Sequence, residues 1–150
     1  MEILEYYQSK EQGYWLEQLG KNDWRAGRYL SALLGENRLR EVCGEKTEVL
    51  LLVEGRTLLS FCIYAQQDEI KAPELTPWVG FVYTFPQFRG KRYAGKLLEY
   101  ARGLAKKDGY RQIYISTGNI GLYEKYGCTF WKVMKNAKGE DCRVYTAQVG

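Results

Sequence analysis

The stretch from Phe88 to Ala101, FRGKRYAGKLLEYA, places glycines and basic residues just before a helical pattern. Its centre, GKRYAGK, has the spacing G-x-x-x-x-G-K of loops that surround the phosphate groups of nucleotides. In those loops the residue after the lysine is Ser or Thr and holds a magnesium ion, but here Leu97 follows Lys96. The missing hydroxyl therefore argues against a nucleotide-binding loop that holds magnesium and leaves open an anion site without a metal.

The same loop has the features of an anion site at the start of a helix. A strand pattern precedes it and a helix follows, and free N–H groups and the helix dipole at a first turn favour an anion. Gly90 lets the backbone approach a ligand closely, and Arg89, Lys91 and Arg92 add positive charge. The alternative is a solvated basic turn that only caps an amphipathic helix.

The chain contains no histidine, which limits the chemistry that it can do. Ser-His-Asp and Cys-His triads are excluded, and the commonest transition-metal ligand is missing. Proton transfer must use Asp, Glu, Tyr, Cys, Lys or solvent. The sequence offers four acidic candidates for a base, each of which could equally be a solvated surface charge: Glu54, Asp68, Glu69 and Glu74.

Composition predicts one domain with a sizeable core, since the 150 residues are 45% hydrophobic. No apolar run approaches the roughly 18 residues of a membrane span, and the N-terminus lacks a signal-peptide pattern, so we expect a cytoplasmic protein without a membrane partner. The four cysteines form no C-x-x-C pair and are expected to be reduced thiols. The net charge of +4 is too small to indicate a nucleic-acid partner.

Hydrophobic periodicity predicts the elements that must position these residues. Two helices are expected in the first forty residues, YWLEQLG and NDWRAGRYLSALLG, with Asp23 capping the second and Gly35 ending it. The segment TEVLLLVEGRTLLSFCIYAQ predicts an antiparallel hairpin that turns at Glu54-Gly55, and WVGFVYTF predicts a further strand.

A helix with one apolar face is predicted after the basic loop, with Lys106 and Lys107 in its last turn and Gly109 behind them. A strand, YRQIYIST, a short helix, GLYEKYG, and two strands around Asn-Ala-Lys-Gly follow. The predicted order is α-α-β-β-β-α-β-α-β-β in a single domain over residues 1–150. This is a mixed α/β sheet with helices on both faces, in which the central strand-helix-strand unit is parallel.

Two segments, YTFPQFRGKRYAGKLLEYA and NIGLYEKYGCTF, resemble the signatures of the GNAT acetyltransferase superfamily. The first signature reads V-x-P-x-x-R-G-x-G-x-G or A, and the chain is in step with it at Thr84, Pro86, Arg89, Gly90 and Ala94. Arg92 replaces the central glycine of that signature. The second reads L-Y-E-K-x-G-F and matches Leu122 to Gly127, after which Cys128 replaces the aromatic residue. The resemblance covers the chain from about Thr47 to its end.

This resemblance implies transfer of an acetyl group from acetyl-CoA to a primary amine by direct attack, through a tetrahedral intermediate and without a metal. It implies that a backbone N–H near Tyr83 stabilises the oxyanion and that the pantetheine arm pairs with the edge of GFVYT. The residues expected to bind acetyl-CoA are Tyr83, Thr84, Arg89, Gly90, Lys91, Arg92, Tyr93, Ala94, Gly95, Lys96 and Asn119. For Asn119, a turn residue before a helix is the alternative.

Tyr123 is the residue that the resemblance implies as the catalytic acid, because the family places this short helix beside the CoA sulfur. Thiols have a pKa of about 8.5 and phenols one of about 10, so the phenol stays protonated at neutral pH and can hydrogen-bond the leaving sulfur, or protonate it as charge develops. Packing or a simple hydrogen bond is the alternative role for this side chain.

The acceptor is expected to be a small-molecule or peptide amine, bound by a monomer or homodimer. The loop AQQDEIKAPELTP and the N-terminal helices are expected to line its pocket, where Asp68, Glu69 and Glu74 would favour a cationic amine. Two other functions stay open. One is a non-catalytic acyl-CoA-binding or sensing module of the same fold, and the other is a small nucleic-acid-binding protein that uses the basic loop and its tyrosines.

Overall fold

A seven-stranded mixed sheet forms the centre of the computed structural model, which describes residues 1–118 and 120–149. Its strands are β1 (Glu2–Glu5), β2 (Glu48–Glu54), β3 (Thr57–Ala65), β4 (Trp78–Thr84), β5 (Gln112–Thr117), β6 (Thr129–Lys135) and β7 (Asp141–Gln148). They lie in the order β1-β2-β3-β4-β5-β7-β6. The β4–β5 pair is parallel and its neighbours are antiparallel, as the sequence predicts.

Helices cover both faces of this sheet, which confirms the predicted fold class. They are α1 (Gln12–Leu19), α2 (Arg25–Gly35), α3 (Leu39–Cys43) and α4 (Tyr93–Lys107), with 3₁₀ turns at Tyr6–Gln8, Pro86–Phe88 and Tyr123–Tyr126. Because successive side chains of a strand point to opposite faces of the sheet, each strand contributes apolar side chains to the cores on both faces. Leu51 and Val53 of β2 pack in the core under α1 to α3, whereas Leu50 and Leu52 pack in the core under α4.

The N-terminal region differs from its predicted form in two elements. The predicted order begins with helices, but residues Glu2–Glu5 form β1, which pairs antiparallel with β2 through partners such as Leu4 and Leu51. Four residues are too few to show the two-residue periodicity of a strand. This segment is a strand because it pairs with the edge of β2. The one-turn helix α3 also lies in a stretch for which the sequence predicted no element.

Asp23 does not cap α2, which corrects the sequence-based expectation. The helix begins at Arg25 after Trp24, and the Trp24 N–H donates to Oδ1 of Asn22 at 3.0 Å. The Asp23 carboxylate instead accepts a hydrogen bond from the Tyr83 hydroxyl at 2.9 Å. The N-cap residue of α2 is therefore Trp24, no side chain caps the helix, and the Asp23 carboxylate is bonded to a residue of β4.

The corner between α1 and α2 depends on a glycine, which gives a prediction for stability. A methyl group added to Gly27 would lie 2.3 Å from Oδ1 of the buried Asn22, whose Nδ2 donates to the Leu19 carbonyl. We expect Gly27→Ala to lower the free energy of unfolding by about 1–3 kcal/mol in chemical denaturation. Gly103→Ala, which meets open space in the middle of α4, should raise it by about 0.5–1 kcal/mol, and equal effects of both variants would contradict this explanation.

Candidate active site

Strands β4 and β5 separate after a short parallel contact. Within the described residues they pair only through Trp78 with Tyr114 and Val79 with Ile115, although β4 continues to Thr84 and β5 to Thr117. Residues 80–84 of β4 therefore have no neighbouring strand on the β5 side. We call this gap the β4–β5 opening, and it exposes the main chain of a central strand.

A β-bulge sets which main-chain groups face this opening. The register between β3 and β4 shifts by one residue between Phe61 and Ile63, and Phe81 takes a positive φ of 51°. Beyond the bulge, the Phe85 N–H donates to the Leu59 carbonyl, so the Tyr83 groups two residues earlier also face β3.

The main-chain groups on either side of Tyr83 consequently face away from β3. The Thr84 carbonyl accepts a hydrogen bond from Nε of Arg89 at 2.9 Å, which fits this direction. The Thr84 hydroxyl lies 2.9 Å from that of Ser60. An N–H donor near Tyr83 thus belongs to Val82 or Thr84 rather than to Tyr83 itself.

The basic loop (residues 89–96) connects the end of β4 to α4, as predicted. Gly90 has a φ of 85°, and α4 begins at Tyr93. The first helical hydrogen bonds run from the N–H groups of Gly95 and Lys96 to the Arg92 carbonyl. Among the described residues, no partner is found for the N–H groups of residues 90–94, so these donors are available to an anion.

Arg92, which replaces a glycine of the resembled signature, adopts the backbone conformation that glycine would adopt. Its φ is 61°, in a left-handed region that costs other residues about 1–2 kcal/mol. The guanidinium donates to the Lys125 carbonyl at 3.0 Å and lies 5.1 Å from the centre of the Tyr126 ring. These contacts join the start of α4 to the turn that carries Tyr123.

A groove of about 770 Å³ continues from the basic loop along α4. Its lining includes four cations and one carboxylate: Lys91, Arg92, Lys96, Arg102 and Glu99. Lys91 and Lys96 are exposed, whereas Tyr93, Ala94 and Gly95 are half-buried. A methyl group on Gly95 would lie 2.7 Å from the Tyr126 ring, so the helix and the turn approach closely here. This surface combines positive charge with open space.

Tyr123 lies over the β4–β5 opening on the α4 face of the sheet. Its side chain is buried, and its ring centre is 6.0 Å from that of Tyr145 on β7. Burial raises the pKa of Tyr123 well above its usual value, and the thiols of Cys62 on β3 and Cys128 raise it further. Tyr123 belongs to the same core as Cys62 of β3 and Tyr145 of β7, and these two strands flank the β4–β5 pair, which places the ring on the α4 side of the gap.

The Tyr123 hydroxyl makes no hydrogen bond within the described part of the chain. It is therefore a protonated donor for which residues 1–118 and 120–149 supply no acceptor. Asn119, which was predicted to contact the pantetheine arm, lies outside the described residues.

The opposite face of β4 carries an aromatic wall (Trp24, Phe81 and Tyr83) that the sequence did not reveal. The rings of Trp24 and Tyr83 are stacked 5.6 Å apart, and Phe81 lies 6.4 Å from Trp24. The Arg89 guanidinium lies 5.4 Å from the centre of the Tyr83 ring. No local sequence pattern predicts the aromatic wall, because the bulge at Phe81 and the docking of α2 bring its members together.

The four candidate bases are spread over the structure. Glu54 lies at the β2–β3 turn and pairs with the amino group of Met1 at 3.2 Å. Glu69 and Glu74 are exposed in the loop between β3 and β4, whereas Asp68 in the same loop is half-buried. The Asp68 carboxylate lies beside β4, since a methyl group added to Gly80 would be 3.5 Å from its Oδ1.

Two further observations concern metals and membranes. Leu97, at the position where a nucleotide-binding loop would hold magnesium, is completely buried in the core under α4. Over residues 1–118 and 120–149, no group of three or more His, Cys, Asp or Glu side chains is placed to hold a metal ion. In the same residues, every helix is too short or too polar to cross a membrane.

Comparison with known proteins points to one family. The family model described as the acetyltransferase (GNAT) family matches residues 5–128. No curated protein matches the sequence. Solved structures with the same fold include an aminoglycoside 6'-N-acetyltransferase from Enterococcus faecium, with 15% identity, coverage of 100% of this chain and 98% of that chain, and a TM-score of 0.71.

Two other similar structures contain a bound ligand. An aminoglycoside 6'-N-acetyltransferase complexed with coenzyme A is 13% identical, with coverage of 100% of this chain and 98% of that chain and a TM-score of 0.70. A GNAT family acetyltransferase from Elizabethkingia anophelis with acetyl-CoA bound is 18% identical, with coverage of 98% and 97% and a TM-score of 0.64. At these identities the likeness establishes the fold.

Proposed function

The chain belongs to the GNAT family of acetyltransferases, and we propose that it transfers an acetyl group from acetyl-CoA to a primary amine. The observation that carries this proposal is the β4–β5 opening, which lies directly beside the free N–H groups at the start of α4. One ligand with an amide-rich arm and a pyrophosphate fits both features at once.

The residues present suit acetyl-CoA in three places. The pyrophosphate would accept hydrogen bonds from the N–H groups of residues 90–94, with Lys91 and Lys96 adding charge. The amides of the pantetheine arm would pair with main-chain groups of Val82 and Thr84 along the β4–β5 opening. The acetyl-sulfur bond would then lie near Tyr123, which stands over the same gap.

The reaction requires a base, an oxyanion donor and an acid. The amine nitrogen attacks the thioester carbon, a C–N bond forms, and the electrons of the C–S bond leave with sulfur. The N–H of Val82 or Thr84 would stabilise the oxyanion, an effect worth about 2.7–4 kcal/mol when one such donor is removed. Tyr123 would give its proton to the thiolate and recover one from solvent.

The amine would approach the sheet from the α2 side, where the aromatic wall and Asp23 lie beside β4. Flat rings and a carboxylate suit a cationic amine carried on a small molecule or a peptide side chain. The aminoglycoside acetyltransferases with this fold support a small molecule. We further propose one domain over residues 1–150, acting in the cytoplasm as a monomer or homodimer without nucleic acid or membrane.

Thiol release from acetyl-CoA, measured with a panel of polyamines, aminoglycosides and lysine peptides, tests this function. We expect at least one amine to release CoA in proportion to the acetylated product. Calorimetry with acetyl-CoA would accompany the assay, since binding without turnover on any amine would favour the acyl-CoA-binding module instead. Retention on RNA that weakens as salt rises would favour the nucleic-acid alternative.

We expect transfer to continue after exhaustive chelation with EDTA. Leu97 stands where magnesium would be held, and its side chain is buried, so the loop has no hydroxyl for a metal. The measurement is the initial rate of thiol release before and after chelation. Activity that is lost on chelation and restored by magnesium would contradict this expectation. It would favour a magnesium-dependent nucleotide-binding loop instead.

A further inference from the structure

The proposed reaction leaves the base unassigned, although the acceptor amine must lose a proton before or during attack. At neutral pH an aliphatic amine is mostly the ammonium form, and the chain has no histidine to take its proton. We propose that Asp68 accepts this proton from the acceptor nitrogen, an assignment that rests on the proposed function. The proton moves from nitrogen to a carboxylate oxygen of Asp68 and later to solvent.

Asp68 lies beside the start of the β4–β5 opening. A methyl group added to Gly80 would lie 3.5 Å from Oδ1 of Asp68, so the carboxylate stands directly over this residue of β4. Gly80 follows Val79, which is the last β4 residue paired with β5. The carboxylate therefore lies where the two strands begin to separate and where the main chain of β4 becomes accessible.

Asp68 stands on the face of the sheet that carries the aromatic wall. The added methyl group on Gly80 would also lie 3.8 Å from Ile63, a residue of the core under α1 to α3. Phe81 and Tyr83 of the aromatic wall pack against that same core. Tyr123 packs in the core under α4, on the other face. A base on one face and an acid on the other suit an amine that enters from one side and a thiolate that leaves on the other.

The loop that carries Asp68 is fixed at both sides, which makes the position of the carboxylate well defined. The N–H groups of Gln66 and Gln67 donate to the Cys43 carbonyl at 3.1 and 3.0 Å. On the other side, the Ala137 N–H donates to the Glu69 carbonyl at 3.1 Å. The neighbouring residues thus hold the loop against α3 and against the β6–β7 turn.

The remaining carboxylates are less suited to this role. Glu54 is paired with the amino terminus at the β2–β3 turn, and Glu74 is exposed. Asp23 is exposed and accepts the Tyr83 hydroxyl three residues further along β4 from Gly80. A proton acceptor at Asp23 would therefore be displaced from the start of the β4–β5 opening.

The titration of Asp68 agrees with this assignment. Its pKa is raised to about 7, mainly by burial and also by the charge of Glu69, while hydrogen bonds from the N–H groups of Ile70 and Glu69 act in the opposite direction. The other titratable groups that interact with Asp68 are the thiols of Cys43 on α3 and Cys142 on β7. A base with a pKa near the working pH is ionised often enough to accept a proton and basic enough to hold it.

The test is the pH dependence of kcat/KM for wild type and Asp68→Asn with acetyl-CoA and the best amine of the panel. For wild type we expect kcat/KM to rise with pH and to level off above about 7, because the base must be deprotonated. Asp68→Asn should lower kcat/KM by about 10²–10⁴-fold and should keep rising at higher pH, as the free amine itself becomes deprotonated. Acetyl-CoA affinity should be unchanged.

Two further variants separate a base from a structural residue. Glu69→Gln removes the charge that raises the pKa of Asp68 and should move the rise in kcat/KM to lower pH. Glu45→Gln, an exposed change outside the loop that carries Asp68, should leave the profile as in wild type. A purely structural role of Asp68 would move none of these profiles along the pH axis.

Thermal unfolding supplies a readout besides activity. Since the folded pKa of Asp68 is raised to about 7, its contribution to stability is fully present below the unfolded pKa and is lost as pH rises through 7. The neutral Asp68→Asn variant should therefore gain Tm relative to wild type between about pH 4 and pH 7, with no further gain above. This gain would also establish that the variant is folded.

Two outcomes would overturn the assignment in different ways. A folded Asp68→Asn variant with the wild-type rate and pH profile would overturn the role of Asp68 alone. A wild-type protein that binds acetyl-CoA but acetylates no amine would overturn the proposed function and, with it, the assignment that rests on it.

Discussion

Replacing Tyr123 with Phe is expected to lower kcat by about tenfold or more while acetyl-CoA affinity and Tm hardly change. The substitution keeps the ring that packs against Tyr145 and removes only the hydroxyl. Because that hydroxyl makes no hydrogen bond within the described residues, its loss costs the fold little. The chemical step loses its proton donor to the leaving thiolate. The measurement is kcat under conditions in which chemistry limits the rate.

The burial of Tyr123 strengthens the reason for this result. Burial and the nearby thiols raise its pKa, so the phenol stays protonated throughout the working pH range. The conjugate acid of a free thiolate has a pKa of about 8.5, which is below that of the phenol, so the hydroxyl would act chiefly by hydrogen bonding to the sulfur as negative charge builds up while the C–S bond breaks. The hydroxyl then acts mainly in the transition state, and its loss should affect kcat more than KM.

Tyr145→Phe is the matched control for this experiment. Its hydroxyl is a buried neighbour that donates to Glu124 at 3.2 Å and takes no part in the proposed site. This variant should lose stability of about 1 kcal/mol with kcat unchanged, which is the reverse of the Tyr123 result. An unchanged kcat in Tyr123→Phe would exclude this residue as the acid and leave it a packing role.

Gly90→Val is expected to weaken CoA binding by well over tenfold while the protein stays folded. Gly90 has a φ of 85°, and a side chain there would meet no protein atom within 4 Å. The added atoms would therefore point into the space from which a pyrophosphate must approach the N–H groups at the start of α4. Calorimetric titration with CoA measures the loss.

Gly109→Val separates loss of the ligand site from backbone strain. Gly109 follows the last turn of α4 with a φ of 88°, and a side chain there also meets open space. Both variants should lose about 1–2 kcal/mol of stability for the left-handed backbone, but only Gly90→Val should lose CoA affinity. Normal CoA binding by folded Gly90→Val would mean that the basic loop does not hold the pyrophosphate.

The sequence predicts the elements whose signals are local. Helix α4 has a full apolar face and a C-terminal glycine, and the β2–β3 hairpin has a Gly turn between two apolar runs. Strand β1 was missed because four residues acquire their structure only by pairing with β2. Asp23 was misplaced as a cap because α2 begins one residue later, after Trp24, and the Asp23 carboxylate bonds to Tyr83, which is distant in the sequence.

In the candidate site, too, local features could be predicted from the sequence and contacts between distant segments could not. The basic loop is contiguous, so residues 89–96 could be proposed as a phosphate site from their order alone. The bulge at Phe81, the aromatic wall and the contact of Asp68 with Gly80 join segments far apart in the chain. No spacing rule reports such contacts, because they depend on the docking of α2 and of the loop between β3 and β4 on the sheet.

The central claim is that CoA lies in the β4–β5 opening with its pyrophosphate at the start of α4. A crystal structure of the complex with CoA tests this most directly. The account predicts hydrogen bonds from the N–H groups of residues 90–94 to the pyrophosphate, and the CoA sulfur beside the Tyr123 hydroxyl. CoA bound elsewhere, for example only in the groove beside Glu99 and Arg102 with its sulfur far from Tyr123, would contradict it.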